Sequence, residues 1–232
     1  MINTVSQRFF VKVIDHYWNE YRSELRNRYK KALKIKKTPY WLWDQFLVSM
    51  CTMGGSANWP IKEKQFKHCL HWLQLSRLSV LQRKKIFQEL PNPRWQKRAS
   101  LFLEKTFQKI QKMGGPKKVA NAYDLEKTPR DKISFLKKFP GIGDKYSRNI
   151  AMSIADPSFV KHIALDHRIN ELAKLIVGYP FQDSYRVKEQ YLLGVLNRSK
   201  VPDAWYFDRL LYWHYEDIKM TLISKKIAFK FR

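Results

Sequence analysis

A short turn bracketed by two glycines has the composition of an anion-binding site. Two stretches of helical apolar spacing are separated by Phe139-Pro140-Gly141-Ile142-Gly143. Glycine lets the backbone turn sharply and approach another surface without a β-carbon in the way, and Ile142 can fill the space between two helices. Unpaired N–H groups at the start of the second helix then point outward and can hold a phosphate. Taken alone, the turn also fits an ordinary helix connection.

Two charged residues stand where helices are expected to begin. Lys145 follows the glycine turn, and the positive end of the helix dipole together with like-charged neighbours favours its neutral, nucleophilic amine, although Asp144 opposes this. Asp166 opens another helix, where the dipole favours an ionised carboxylate that can stabilise a cation or assist proton transfer. Each also has a structural interpretation, because lysine is abundant in this chain and Asp is a preferred helix N-cap.

Helices must position these residues, because apolar and aromatic side chains recur at three- and four-residue spacing along almost the whole chain. No stretch shows the alternation of a half-buried strand. Proline, glycine, aspartate and serine mark most of the breaks, as is typical of helix ends. The sequence predicts an all-α fold with helices at residues 7–35, 39–52, 61–75, 79–90, 93–113, 116–123, 129–138, 145–155, 166–177, 184–197 and 202–220.

The charge balance points to a polyanionic partner. A formal net charge of +25 arises from 45 Lys and Arg against 20 Asp and Glu. So large an imbalance destabilises a compact fold through self-repulsion, and a bound polyanion would neutralise it. Nucleic acid is the partner that the charge favours, although a ribosomal protein, an anionic-membrane binder or an RNA chaperone would have the same sign.

The cysteine content excludes several classes of site. Only Cys51 and Cys69 occur, so the chain cannot supply a four-cysteine iron–sulfur cluster or a structural zinc finger, and a disulfide framework is not expected. The first residues contain no apolar stretch of signal-peptide length, and no run of about 18 apolar residues occurs. We therefore expect an intracellular protein, cytoplasmic or nucleoid-associated, that engages no membrane.

Several motifs together resemble the helix-hairpin-helix superfamily of DNA glycosylases (HhH-GPD). The glycine turn followed by a basic residue and an apolar helix is similar to the DNA-binding hairpin of that family. Downstream, residues 162–169 (HIALDHRI) resemble the family's apolar run that ends in an Asp at a helix start. Upstream, residues 93–99 (PRWQKRA) and 113–115 (MGG) are similar to two further family segments. The resemblance covers roughly residues 40–180, motif by motif.

The resemblance implies the chemistry of two residues. Lys145 occupies the position at which a lysine gives a combined glycosylase and lyase, through attack on the sugar C1′ and a Schiff base. Asp166 matches the family's catalytic Asp. The resemblance also implies that a DNA-binding surface includes the hairpin and the basic residues around it: Gly141, Ile142, Gly143, Lys145, Arg148, Arg94, Lys97 and Arg98.

The resemblance also implies a domain arrangement of two helical subdomains flanking a cleft. Residues 1–40 and 160–232 are expected to form a discontinuous subdomain, in which the N-terminal helix packs with the C-terminal helices. Residues 41–159 are expected to form a six-helix subdomain that contains the hairpin at residues 133–152. A chain of 232 residues is long enough for two such packed subdomains.

A glycosylase must extrude its target nucleotide, fill the gap with a wedge residue and hold the base in a pocket. The loop at residues 54–60 lies where the family places such a wedge, so Asn58 and Trp59 are the candidates for wedge or base pocket. Other tryptophans, at positions 41, 43, 72, 95, 205 and 213, are available for stacking but fit a core role equally.

Because cysteine ligands are lacking, the chain is most similar to the cluster-free branch and to its small 8-oxoguanine DNA glycosylase/AP lyases. We expect a monomer that binds damaged double-stranded DNA and excises an oxidised base, with no cofactor. As the resemblance suggests, the hairpin carbonyls can bind a monovalent cation. Two alternatives remain: a monofunctional glycosylase for alkylated or mismatched bases, in which Asp166 activates water, and a noncatalytic DNA-binding protein.

Overall fold

The computed structural model describes residues 4–53, 59–91, 93–177 and 184–230. Within these ranges all regular structure is helical and no strand occurs, which confirms the all-α fold class. No helix in these ranges is both long and apolar enough to cross a membrane. Two 3-10 turns occur, and the α-helices in chain order are α1 (Thr4–Ala32), α2 (Trp41–Cys51), α3 (Trp59–Leu70), α4 (Trp72–Arg77), α5 (Val80–Glu89), α6 (Gln96–Lys112), α7 (Pro116–Leu125), α8 (Pro129–Lys137), α9 (Asp144–Ser153), α10 (His167–Val177), α11 (Tyr185–Leu196), α12 (Ala204–Trp213) and α13 (Tyr215–Lys230).

Polar residues cap helices at breaks that the sequence predicts. The Ser79 hydroxyl accepts from the backbone N–H of Gln82, and the Gln82 side chain accepts from the backbone N–H of Ser79, which completes a capping box at the start of α5. At the start of α8, the Thr128 hydroxyl accepts from the backbone N–H of Asp131. Pro129 takes the first helical position, where its missing N–H costs nothing.

Two helices that the sequence predicts as continuous are interrupted, so these predictions are wrong. The predicted helix 61–75 separates into α3 and α4 at His71, whose ψ of 136° is extended. The predicted helix 202–220 separates into α12 and α13 at His214, whose ring stacks on that of Tyr21 with centroids 3.5 Å apart. Apolar spacing continues across both breaks, so periodicity alone does not reveal them.

The chain forms two compact units. Unit 1 comprises the described parts of Met1–Lys34 and Ala151–Arg232, and unit 2 comprises those of Ile35–Ile150. The sequence-based boundaries fall after residues 40 and 159, which is six and nine residues later than these. The second boundary falls within α9, where Ile150 and Ala151 on its two sides are both buried, so no break in the sequence pattern marks it.

Helix α1 belongs to the core of unit 1. Its residues Phe10, Ile14 and Leu25 are fully buried. They share one apolar cluster with residues that include Leu172 of α10 and Leu210 of α12. Each large apolar side chain buried in this way contributes about 1.5–3 kcal/mol. Unit 1 therefore depends on a helix from the beginning of the chain.

An aromatic cluster joins four helices in the core of unit 2. The rings of Trp72 and Phe107 stack with centroids 4.3 Å apart, and Trp43 meets Phe107 edge-on at 5.5 Å. Phe87 packs against the same rings. Such pairs add about 0.5–1.5 kcal/mol each beyond their burial. The cluster fixes α2, α4, α5 and α6, and α6 in turn supports the candidate site.

Candidate functional site

The predicted hairpin is present in unit 2, from α8 through a turn into α9. Backbone hydrogen bonds from Lys138 to Phe135, from Phe139 to Leu136 and from Ile142 to Phe139 tighten the turn. Ile142 is only 4% exposed, so its side chain fills the space inside the turn. The backbone of residues 140–143 is thereby presented at the surface of this unit.

The two glycines of the turn have different environments. Gly141 has a φ of +81°, a conformation that other residues rarely adopt. A β-carbon there would also stand 2.5 Å from a ring atom of Phe102 and 3.0 Å from Met53 Cε. Around Gly143, by contrast, no heavy atom lies within 4 Å of the place that a β-carbon would take. Gly141 is thus needed to build the turn, whereas Gly143 leaves open space beside the start of α9.

The turn forms one wall of an open pocket in unit 2, with a volume of about 580 Å³. We call this pocket the hairpin concavity. Helix α6 and the segment before it form the opposite wall. The lining combines glycine backbone, aromatic rings and cationic side chains: Met53, Trp95, Arg98, Phe102, Lys137, Lys138, Phe139, Pro140, Gly141, Ile142, Gly143 and Tyr146. A surface of this composition suits phosphate groups and the faces of nucleobases.

The sequence predicts Arg98 and residues 141–143 of this surface, but it does not predict Phe102, Tyr146 or the two lysines at positions 137 and 138. The Arg98 guanidinium carbon lies 5.4 Å from the ring centroid of Phe102 and 6.0 Å from that of Trp95. These three residues follow one another at spacings of three and four, which is one face of a helix. That spacing is the sequence signal that could have added Phe102 to the predicted surface. The cation and the two rings form one continuous part of the concavity wall.

An acidic side chain sits among the cations at the start of α9. Asp144 accepts from Lys137 Nζ at 3.2 Å, and the nearest atoms of the Asp144 carboxylate and the Arg148 guanidinium are 3.6 Å apart. Nη1 of Arg148 also donates to the backbone carbonyl of Asp144 at 3.2 Å. Asp144 therefore partly neutralises the positive charge at the place where the sequence predicts a phosphate.

Lys145 is the second residue of α9, directly after this acid, and its side chain is half-buried. Its Nζ lies 4.7 Å from the ring centroid of Tyr146, within the range of a cation–π interaction. Ser147, which is fully buried, ties α9 to the turn because its hydroxyl donates to the carbonyl of Gly143 at 2.9 Å. The base of the Lys145 side chain is therefore fixed to the hairpin.

Asp166 lies in unit 1, directly before α10. Its Oδ1 accepts from the backbone N–H of Ile169 at 2.9 Å, which is the geometry of a helix N-cap. Helix α10 is anchored further along its length, where Lys219 Nζ donates to Glu171 at 2.7 Å. The hydrogen bonds from Lys219 and Tyr215 hold the pKa of Glu171 below its usual range. Asp166 thus caps a helix that is fastened to α13.

The remaining candidates lie elsewhere. Lys97 lines a different groove, between α5 and α6, and Arg94 is exposed outside the concavity lining. Asn58 lies outside the described residues. Trp59 is only 9% exposed, so its position lends no support to a wedge role. Among the described residues, no group of three or more His, Cys, Asp or Glu side chains is arranged to hold a metal ion.

Comparisons with known proteins identify similar folds. No family model matches the chain, and no curated protein matches it in sequence. The 8-oxoguanine DNA glycosylase of Thermotoga maritima is similar in structure, with a TM-score of 0.68 and 16% identity over 89% of this chain and 96% of that one. The 8-oxoguanine DNA glycosylase of Methanocaldococcus jannaschii gives a TM-score of 0.69 and 12% identity over 89% and 93%. A complex of the M. jannaschii glycosylase/lyase with 15mer DNA containing 8-oxoguanine gives 0.67 and 15% over 89% and 96%.

Proposed function

We propose that this protein is a base-excision-repair DNA glycosylase that extrudes and excises an oxidised base, with 8-oxoguanine the first candidate, from double-stranded DNA. The observation that carries the proposal is the hairpin concavity: an open glycine turn beside aromatic and cationic side chains, in a chain with a net charge of +25. The fold is shared with 8-oxoguanine DNA glycosylases, one of them in complex with DNA containing the lesion.

In this proposal, the hairpin holds the DNA backbone. The N–H groups at the start of α9 and the backbone at Gly143 receive a phosphate, and Arg98, Lys137 and Lys138 supply charge around it. Phosphate contacts of this kind fix the register of the duplex without reading its sequence. Extrusion of the damaged nucleotide then places its C1′ within reach of the reacting groups.

Lys145 is the proposed nucleophile and gives the enzyme its associated AP lyase activity. The neutral amine attacks C1′, the N-glycosidic bond breaks, and the base leaves with a proton. The sugar ring opens to a protonated imine between C1′ and Nζ, which acidifies the C2′ proton. Loss of that proton expels the 3′ phosphate and cuts the strand by β-elimination. Asp166 stabilises the developing positive charge on the sugar or carries a proton between these steps.

The deciding experiment uses borohydride, which reduces a Schiff base to a stable adduct. The purified protein is incubated with duplexes that each carry one lesion: 8-oxoguanine, thymine glycol, uracil, an alkylated purine or an abasic site. We expect a trapped adduct on the 8-oxoguanine duplex that disappears in Lys145→Gln. The matched control is Lys117→Gln, because Lys117 is also the second residue of a helix and also follows a glycine by two positions.

Each other outcome revises the proposal. Release of free base without an adduct means that the enzyme is monofunctional, with Asp166→Asn then abolishing release and Lys145 reduced to a phosphate contact. Binding of duplex DNA without any reaction on any lesion means that the protein is a noncatalytic DNA-binding protein. Loss of the adduct in Lys117→Gln as well as Lys145→Gln would remove the specific role of Lys145.

A further inference from the structure

The segment that leads into Asp166 is neither helix nor strand, yet the N–H groups of residues 163–165 are all hydrogen-bonded. Residues 163–165 are buried and lie between the 3-10 turn at Pro157–Phe159 and the start of α10. Buried backbone N–H groups must be paired, because an unpaired one costs about 1–3 kcal/mol. No strand occurs in the part of the chain that the structure describes, so none pairs with this segment. Side chains of two other helices of unit 1, α11 and α12, accept hydrogen bonds from its N–H groups instead.

Three consecutive N–H groups each donate to a different side chain. Ile163 donates to Glu189 Oε1 at 2.9 Å, Ala164 donates to Asp208 Oδ2 at 2.8 Å, and Leu165 donates to the hydroxyl of Tyr185 at 2.8 Å. That hydroxyl also donates to the carbonyl of Ile163 at 2.6 Å. The segment is thus clamped from α11 and α12.

The two carboxylates of this clamp are buried, which sets them apart from ordinary surface acids. Asp208 is 1% exposed and Glu189 is 6% exposed. Burying a carboxylate is costly unless hydrogen bonds and opposite charges compensate. Each also has a nearby basic side chain, since Nη1 of Arg209 lies 3.7 Å from Asp208 Oδ1 and Nδ1 of His162 lies 3.2 Å from Glu189 Oε1. An apolar side chain in the same place would leave an N–H group of the segment unpaired, so the acids hold the backbone of the segment in one orientation.

We infer that Tyr185, Glu189 and Asp208 are positioning residues that fix Asp166 for the reaction through the backbone of residues 163–165. Asp166 follows the clamped Leu165 directly, and its own hydrogen bond to Ile169 fixes the other side. The backbone on both sides of the carboxylate is therefore held before DNA arrives. This inference rests on the proposed role of Asp166.

The test removes one oxygen atom from the clamp. Tyr185→Phe deletes the hydrogen bonds of the hydroxyl to Leu165 and Ile163 but keeps the ring, which is partly exposed, so unit 1 should still fold. The matched control is Tyr17→Phe in the same unit, because its hydroxyl likewise bonds a backbone carbonyl, that of Asp217 at 2.9 Å, and a side chain, that of Thr221 at 2.7 Å. Neither bond of Tyr17 touches the Asp166 segment.

The readouts separate positioning from stability. We expect Tyr185→Phe to lower the single-turnover rate of base release about tenfold or more, since small displacements of a reacting group carry large rate costs. The dissociation constant for the lesion duplex should stay within about twofold. Tyr17→Phe should lower the melting temperature to a similar extent and leave the rate unchanged. Equal rate losses in the two variants, or no loss in Tyr185→Phe, would overturn the inference.

A second measurement does not depend on catalysis. Amide hydrogen exchange at residues 163–165 should accelerate in Tyr185→Phe and stay slow in Tyr17→Phe. If the wild-type protein releases no base from any duplex, the proposed function fails, and the exchange data alone decide whether the clamp holds Asp166. Unchanged exchange at Leu165 in Tyr185→Phe would rule the clamp out even in an active enzyme.

Discussion

Gly141 and Gly143 are two residues apart, but only Gly141 has a positive φ angle, which other residues adopt only with strain. A β-carbon at Gly141 meets Phe102, and the positive φ adds a cost of its own. A β-carbon at Gly143 meets nothing in the protein. The sequence pattern treats the two positions alike, because it contains neither the φ angle nor the neighbouring helix. Their difference leads to opposite expectations for the same substitution.

We predict that Gly141→Ala destabilises the protein by about 2 kcal/mol or more, whereas Gly143→Ala changes stability by less than about 0.5 kcal/mol. Because Gly143 borders the proposed phosphate position, its added methyl group should instead weaken duplex binding. Urea unfolding monitored by tryptophan fluorescence measures the first effect, and fluorescence anisotropy with labelled duplex measures the second. Equal loss of stability in both variants would contradict the assignment of roles.

Asp144 opposes DNA binding if its carboxylate faces the phosphate. We predict that Asp144→Asn tightens duplex binding about threefold to tenfold at 0.1 M salt, because it removes a repulsive charge and releases Lys137 and Arg148. The matched control is Asp124→Asn, which removes an equally exposed carboxylate of the same unit that pairs with Lys36. Anisotropy titrations of both variants decide the point. Equal tightening would attribute the effect to net charge alone.

At the scale of elements, the sequence predicts the helices well where caps mark their ends and poorly where a helix breaks without one. The starts of α5 and α8 follow from Ser79 and Thr128. The breaks at His71 and His214 do not, because each depends on contacts with residues distant in sequence, such as the stacking of His214 on Tyr21. Local patterns do not contain such contacts.

In the candidate site, likewise, the sequence predicts the local motifs but not the contacts between distant residues. The glycine turn with Arg98 can be found from the sequence, because the motif and the helix spacing are local. The contribution of Phe102 depends on how α6 packs against the turn, and that of Tyr185 and Asp208 depends on contacts across unit 1. The roles of Lys145 and Asp166, which the resemblance implies, stay predictions that the borohydride experiment tests.

Helices α5 and α6 are joined by a buried ion pair. The guanidinium of Arg83 donates to both carboxylate oxygens of Glu104 at 3.3 and 3.1 Å, and it lies 4.5 Å from the ring centroid of Phe107. We predict that Glu104→Leu costs about 3–5 kcal/mol because it leaves a buried cation, and that the double variant with Arg83→Leu recovers much of this loss. A double-mutant cycle by urea unfolding measures the coupling. If the losses of unfolding free energy in the two single variants simply add in the double variant, the predicted coupling is contradicted.

Helix α2 carries a partly buried carboxylate, that of Asp44, whose charged form is disfavoured by loss of solvent. Burial raises the pKa of Asp44 to about 6, and the nearby carboxylate of Glu63 adds to this while His71 counteracts it. Because the folded-state pKa lies above the unfolded one, the stability that the neutral form provides is present below pH 4 and is lost as pH rises through 6.

Asp44→Asn should therefore stabilise the protein at pH 7.5 by about 1–2 kcal/mol, a figure that allows for partial solvent screening. The gain should disappear at pH 4. Thermal unfolding of the wild type and the variant at both pH values measures this difference. A gain that is the same at the two pH values would show that the amide stabilises for another reason.

At the scale of the whole molecule, the net charge of +25 sets how binding responds to salt. We predict that the logarithm of the duplex association constant falls with the logarithm of salt concentration with a slope of about −5, as for roughly six phosphate contacts. Duplexes with and without a lesion should give the same slope, since the backbone is common to both. A slope shallower than about −2 would contradict a phosphate-dominated interface.

The discontinuity of unit 1 also governs the order in which the protein acquires its structure during translation. Helix α1 leaves the ribosome before unit 2, but the cluster that buries Phe10 and Ile14 includes Leu210 and Ile218, which are synthesised after unit 2. All of unit 2 emerges in between and has its complete chain by residue 150. Since domains fold as units while the chain grows, α1 is made before unit 2 but is buried only after unit 2 is complete. Its apolar face stays open to chaperones while all of unit 2 is synthesised.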